Sequence, residues 1–256
     1  MLLADKCYLS EIYSAIQGEG PLVGIRQLFV RFSACDLRCK WCDTPESLVR
    51  TEVCSIEKEP GLRLYETINN PITSNSLISL LKNLNNVKHH SISLTGGEPL
   101  LQSDFLCSSL SQLKDELGTE VYLESGGHRP DELKKVIEYI DYVSMDFKLP
   151  SSSETGDLWD KHAEFLKISL NAKKNVWVKI VITKNTLLEE IVKSVELIKT
   201  INDQNEKIEV FLQPVTEINN IFPPNENALL SIQAELLKLY PYVRVVPQVH
   251  KLIGQR

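Results

Sequence analysis

Short β-rich runs alternate with helical patterns along most of the chain, and this alternation restricts the possible folds more than any other feature. "QLFVRFSA" (27–34), "HSISLTGG" (90–97), "EVYLESGG" (120–127), "YVSMDFK" (142–148), "VWVKIVIT" (176–183) and "IEVFLQPV" (208–215) read as strands. Each is rich in Val, Ile, Phe or Tyr, and most stop at Gly, Pro or polar residues. Between them, "SNSLISLLKNLNN" (74–86), "SDFLCSSLSQLKDEL" (103–117) and "TLLEEIVKSVELIKTI" (186–201) space their apolar residues as helices do. "RPDELKKVIEYI" (129–140) opens on proline and acidic residues, which suit a first helical turn. A last helix, "NENALLSIQAELLKLY" (225–240), leads into an extended segment, "VRVVPQVH" (243–250). This order predicts a mainly parallel sheet with right-handed crossovers. The units number about six, too few to close an eight-stranded barrel. The expected fold is therefore α/β, a partial (β/α)6 TIM-like barrel formed by residues 1–256 as a single domain. The stretch 45–71 fits neither period and is expected to be an irregular insertion.

In parallel α/β architecture, functional residues gather at the carboxyl ends of strands. Two unusual segments fall there. "CDLRCKWCDT" (35–44) follows the first strand, and Gly-Gly-Glu-Pro (96–99) follows the second. The first places Cys35, Cys39 and Cys42 at C-x3-C-x2-C spacing. Three thiolates are an awkward number for a disulfide or for a structural zinc site. They suit three irons of a [4Fe–4S] cluster whose fourth iron stays open, where four-cysteine clusters close every iron. An amine and carboxylate pair, such as the methionyl end of S-adenosylmethionine, could chelate the open iron. A zinc module completed by a distant His, or three bystander thiols, is the competing reading. The chain carries no cationic leader and no apolar run of about 18 residues, so a cytoplasmic address with reduced thiols is expected. Its net charge of −6 argues against nucleic-acid binding, and no membrane partner is expected. Cys7, Cys54 and Cys107 read as bystanders.

The cysteine spacing, with Trp41 just before the last cysteine, resembles the radical S-adenosylmethionine superfamily, and "LTGGEPLLQ" (94–102) resembles that superfamily's glycine-rich motif. "YSAIQGEGPLVGIRQLFVRFSACDLRCKWCDT" (13–44) closely resembles the start of the 7-carboxy-7-deazaguanine synthases. The likeness resumes at "SLTGGEPLLQ" (93–102), "VSMDFKLPSS" (143–152), "FLQPV" (211–215) and "VHKLIG" (249–254), and leaves out 45–71. It implies a barrel of the radical S-adenosylmethionine type. The implied reaction converts 6-carboxy-5,6,7,8-tetrahydropterin to 7-carboxy-7-deazaguanine with loss of ammonia, on the route to queuosine. It also implies a [4Fe–4S] cluster, S-adenosylmethionine and Mg²⁺, a reductant such as flavodoxin, and a homodimer.

By the same resemblance, Ile16, Gln17, Gly18 and Glu19 read the pterin's 2-amino-4-oxo edge. Arg31, whose fork geometry suits a carboxylate, is implied to bind substrate together with Thr95, His250 and the terminal Arg256. Thr44 is implied as a magnesium ligand; capping the following turn is its plainer role. Trp41, Cys42, Asp43, Gly97, Glu98, Lys148 and Gln213 are implied at the cofactor, with Ser144 or Asp146 as a further contact. Two other functions stay open, and the first shares the cysteine spacing. One is an activase for a glycyl-radical enzyme, and the other a non-catalytic iron–sulfur or zinc protein used for redox sensing.

Overall fold

The computed structural model describes residues 5–202 and 207–255. Ten strands form one sheet in the order β12-β11-β10-β9-β8-β7-β3-β2-β4-β5. From the centre to one end run β3 (Arg26–Phe32), β7 (Ser91–Gly96), β8 (Glu120–Ser125), β9 (Tyr142–Asp146), β10 (Asn175–Ile182), β11 (Val210–Pro214) and β12 (Val243–Val245). Every neighbouring pair in that run is parallel. The connections carry α1 (Ser74–Leu84), α2 (Ser103–Leu117), α3 (Pro130–Val136), α4 (Pro150–Ser153), α5 (Trp159–Asn171), α6 (Leu188–Ile201) and α7 (Glu226–Leu239), with α8 (Val249–Leu252) after β12. The two end strands, β12 and β5, do not pair with each other, so the barrel stays open as expected.

Helix ends follow local chemistry. Thr73 accepts a hydrogen bond from the Ser76 backbone N–H at 3.2 Å to start α1, and Asn225 caps α7 through Ala228 at 2.9 Å. α2 stops where Gly118 takes φ +59. Sequence periodicity missed α5, whose buried positions include His162 and Ser169 beside Phe165 and Leu166. It also missed β2 (Leu9–Ile16), which runs antiparallel to β3.

The segment 45–71 is more regular than expected. After a turn at Pro45–Leu48, β4 (Val53–Glu57) and β5 (Tyr65–Asn69) form a hairpin that extends the sheet beyond β2. Two features hid it: an exposed outer strand with little alternation, and turns without an Asn-Gly signal. A small ribbon pairs β1 (Lys6–Cys7) with β6 (Ile72–Thr73). The final segment also differs, because only Val243–Val245 is extended and Val249–Leu252 coils into a helical turn.

Strand alternation sets what faces inward. On β10, Val178, Ile180 and Ile182 are fully buried in the main apolar core, whereas Lys179 and Val181 face the barrel cavity. On β9, Val143 and Met145 belong to the core while Ser144 and Asp146 face inward. The apolar face thus holds the sheet, and the other face is free to carry polar chemistry.

Two buried histidines give the fold a pH dependence. His89 lies 2.8 Å from Ser14 Oγ, and His162 lies 3.1 Å from the Gly126 carbonyl. Burial pushes both imidazoles down to about 4. Their unfolded value is about 6.5, so unfolding takes up protons below it. Stability should be full above pH ~6.5 and fall progressively towards pH ~4. Thermal melts across that window should show a steadily falling midpoint, and a flat one would mean that neither ring is held neutral.

Candidate active site

The cysteine loop leaves the carboxyl end of β3 and is pinned to the neighbouring glycine-rich turn. Gly97 N–H donates to the Phe32 carbonyl and Glu98 N–H to the Ala34 carbonyl, both at 2.9 Å. This approach requires glycine: a Cβ on Gly96, which has φ +122, would lie 2.2 Å from Phe32 O. Cys35, Cys39 and Cys42 are free, partly exposed thiols lining one cavity. Burial pushes the Cys35 thiol up to about 11, and it also raises Cys39 against the opposing charge of Lys148. Lys148 Nζ sits 4.3 Å from the Trp41 ring centroid, a cation–π contact between the loop and β9's end. Thr44 precedes the turn Pro45–Leu48 but makes no side-chain capping bond; its hydroxyl stands 3.9 Å from Cys42 Sγ.

That cavity, of about 450 Å³, gathers every described candidate residue. Arg256 lies outside the described residues. One wall is built by β2, β3 and the turn after β2. Arg31 bonds to Tyr13 Oη at 2.7 Å and to Glu11 at 3.2 Å. Gln17 donates to Gln27 and to Glu124, each at 2.9 Å, and Thr95 donates to the other Glu124 oxygen at 2.9 Å. Glu19 accepts from Lys179 at 2.6 Å and from Gln213 and Gln248 at 3.0 Å.

The chain's last segment closes this wall. Val249 N–H donates to the Gly18 carbonyl at 3.0 Å, and a Cβ on Gly18 would come within 2.3 Å of the His250 backbone nitrogen. Gln248 and Lys251 reach Asp43 at 2.9 and 2.7 Å. Burial works to raise the Asp43 carboxyl, but Lys251 and its hydrogen bonds bring it down to about 2. Asp43 thus ties the cysteine loop to this terminal segment.

The opposite wall carries Asp146, which accepts from Lys148 at 2.7 Å and from Lys179 at 3.3 Å through Oδ2. Burial works to raise the Glu19 and Asp146 carboxyls. Lys179 beside the first, and Lys148 with Lys179 beside the second, hold both below the ordinary carboxylate range. Among the described residues Asp146 Oδ1 is buried without a hydrogen-bond partner, an unsatisfied acceptor at the cavity wall. Ser144 Oγ already accepts from Trp177 Nε1 at 3.1 Å. Glu98 is a brace: its carboxylate accepts from Leu100 N–H, Ser125 Oγ and Gly126 N–H between 2.9 and 3.1 Å. Behind it, His128 Nε2–H donates at 2.8 Å to Asp36, inside the cysteine loop.

Sequence reasoning missed Lys179, Glu124 and Gln248. Lys179 left a signal, as the single charged residue of β10, whereas Glu124 shares β8 with Glu120 and does not stand out. Gln248 left none.

Three thiols on one loop, a close-approach glycine cradle and an orphaned Asp146 oxygen suit a [4Fe–4S] cluster with S-adenosylmethionine beside it. The comparisons agree. The model of the radical SAM superfamily matches residues 29–198. A protein named 7-carboxy-7-deazaguanine synthase from Geobacter sulfurreducens is 38% identical, over 96% of this chain and 97% of its own. One of the same name from Methanothermobacter thermautotrophicus is 32% identical over 96% of each. Among solved structures, QueE from Escherichia coli superposes with a TM-score of 0.61 at 19% identity, covering 96% of this chain and 95% of its own. That likeness bears on the fold.

Proposed function

Because the chain belongs to the 7-carboxy-7-deazaguanine synthases of the radical S-adenosylmethionine superfamily, we propose that it converts 6-carboxy-5,6,7,8-tetrahydropterin to 7-carboxy-7-deazaguanine, releasing ammonia, in deazapurine and queuosine biosynthesis. The observation that carries this reading is the single cavity, in which the thiol loop faces Gln17, Glu19 and Arg31. When bound, the cluster and S-adenosylmethionine supply the radical chemistry that begins on the substrate's C6 hydrogen. The protein's own residues bind, orient and exclude water. Arg31, a mostly buried cation, takes the substrate carboxylate, and Thr95 adds a hydroxyl. Glu19 and the backbone around Gly18 receive the N–H donors of the pterin edge. The terminal segment, seated on Gly18 and Asp43, brings His250 over the substrate.

For the cofactor, Asp146 and Lys148 are the contacts on β9's end, supported by the open Oδ1 and the Trp41 contact. Trp41, Cys42, Asp43, Gly97 and Gln213 complete that side, with Glu98 holding the loop after β8 in place. Thr44 is assigned to Mg²⁺, which accepts few protein oxygens beside water and substrate; the absence of a capping bond from its hydroxyl supports this. Thr44→Ala should weaken the response of turnover to added Mg²⁺ about tenfold. An unchanged titration would remove Thr44 from the metal site. The chain is further assigned an external reductant such as flavodoxin, a homodimeric state, action as one domain and a cytoplasmic address; no described helix is long and apolar enough to cross a membrane.

The deciding experiment is anaerobic. The reconstituted, reduced protein receives S-adenosylmethionine, Mg²⁺ and 6-carboxytetrahydropterin, and 7-carboxy-7-deazaguanine and 5′-deoxyadenosine are followed by mass-resolved chromatography. Both products are expected. 5′-Deoxyadenosine alone would mean another substrate, and neither product from a cluster-loaded chain would overturn the enzyme reading. The activase and redox-sensing alternatives gain nothing from the full-length relatives, which carry the synthase name.

A further inference from the structure

Lys179 stands on β10 in register with Asp146 of β9. Its ammonium is shared between the two walls of the cavity, 2.6 Å from Glu19 Oε2 and 3.3 Å from Asp146 Oδ2. The Lys179, Glu19 and Asp146 side chains are only 14%, 11% and 9% exposed. Salt and water therefore screen their mutual attraction little. One cation serves two carboxylates, so whatever satisfies one of them alters its hold on the other.

The two carboxylates are not equally provided for. Glu19 takes Gln213 and Gln248 on Oε1, and among the described residues Lys179 is the hydrogen-bond partner of Oε2. Asp146 shares its Oδ2 between Lys148 and Lys179 and leaves Oδ1 unpartnered. A donor-bearing ligand arriving at Glu19 would compete with Lys179 there and shift its charge towards Asp146. The carboxylate of a zwitterionic ligand such as S-adenosylmethionine, arriving beside Lys148, would draw Lys179 the same way and uncover Glu19.

Resting on the function proposed above, we infer that Lys179 couples the pterin subsite to the S-adenosylmethionine subsite, so that each ligand tightens the binding of the other. Linkage requires the two effects to be equal. Lys179 is a positioning residue, acting through Glu19 and Asp146. A purely structural lysine, holding two carboxylates together for stability, would leave the two affinities independent.

The test is a binding measurement on the cluster-loaded protein, with the cluster kept oxidised so that nothing turns over. The affinity for S-adenosylmethionine is measured with and without saturating 6-carboxytetrahydropterin. The pterin should tighten the cofactor about tenfold, within the usual range of coupling between sites. Lys179→Met should bring that factor to about one with iron content unchanged, and Lys179→Arg, which keeps the cation, should restore it. If Lys179→Met does not fold, Lys179→Gln, which keeps a hydrogen-bonding head without the charge, carries the same test and should likewise abolish the coupling. A factor of about one in the unsubstituted protein, or the full factor surviving in Lys179→Met or Lys179→Gln, would overturn the inference. Failure of the unsubstituted protein to bind the pterin at all would instead remove the substrate assignment, and the coupling with it.

Discussion

Cys39→Ala is expected to leave a folded chain that holds little iron and forms no product. Cys39 is the middle thiol of the loop, and its backbone carbonyl receives the Cys42 N–H at 3.0 Å, so it sits where the loop turns back on itself. Removing one of three protein thiolates leaves two irons of a cluster without a protein ligand, a coordination that does not retain a [4Fe–4S] centre well. The fold should survive, because the thiol belongs to no apolar core cluster. Iron and sulfide analysis reports the cluster, circular dichroism reports the fold, and product formation reports the chemistry. Cys107→Ser, at an exposed helix position, serves as the control that keeps all three. Turnover retained by Cys39→Ala would sink the assignment of this loop as the cluster site.

Arg31→Ala should give the second-largest loss, about 10²-fold or more in kcat/KM, because truncating a buried charged partner costs ~2–5 kcal/mol. Most of this should appear in KM if the guanidinium holds the substrate carboxylate equally before and during reaction. The same substitution takes its guanidinium partner from the Tyr13 hydroxyl, which burial has pushed up to about 12. A fall in melting temperature is therefore expected as well. Arg31→Lys keeps the charge but loses the fork and should recover only part of the activity. Full activity in Arg31→Ala would place the substrate carboxylate elsewhere in the cavity.

The parallel core was legible because strands buried on one face and lined on the other repeat the same short pattern, from "QLFVRFSA" to "IEVFLQPV". β2 escaped because its inward face carries Glu11 and Tyr13 for the site, so its pattern looks polar and irregular. α5 escaped because it buries His162 and Ser169 where a periodicity search expects aliphatic residues. At the site, motifs close in sequence were readable, and contacts between distant segments were not. No local signal tells that Gln248 spans Glu19 and Asp43, or that Glu98 spends its carboxylate on the Ser125–Gly126 turn. Nor does any local signal tell that the Ser144 hydroxyl accepts from Trp177, a residue on the next strand.

The seat of the terminal segment has a kinetic consequence. The Gln248–Glu19 hydrogen bond joins residues 229 positions apart, and it forms only once the intervening strands have been laid side by side. Loop-closure entropy over such a span must be met before the contact returns anything. The mouth of the cavity should thus assemble after the sheet during refolding and open before it in mild denaturant. Amides of residues 249–252 should exchange with solvent sooner than those of β8–β10, at a cost well below global unfolding. Ligand entry would then proceed through this early-opening segment while the parallel core stays closed.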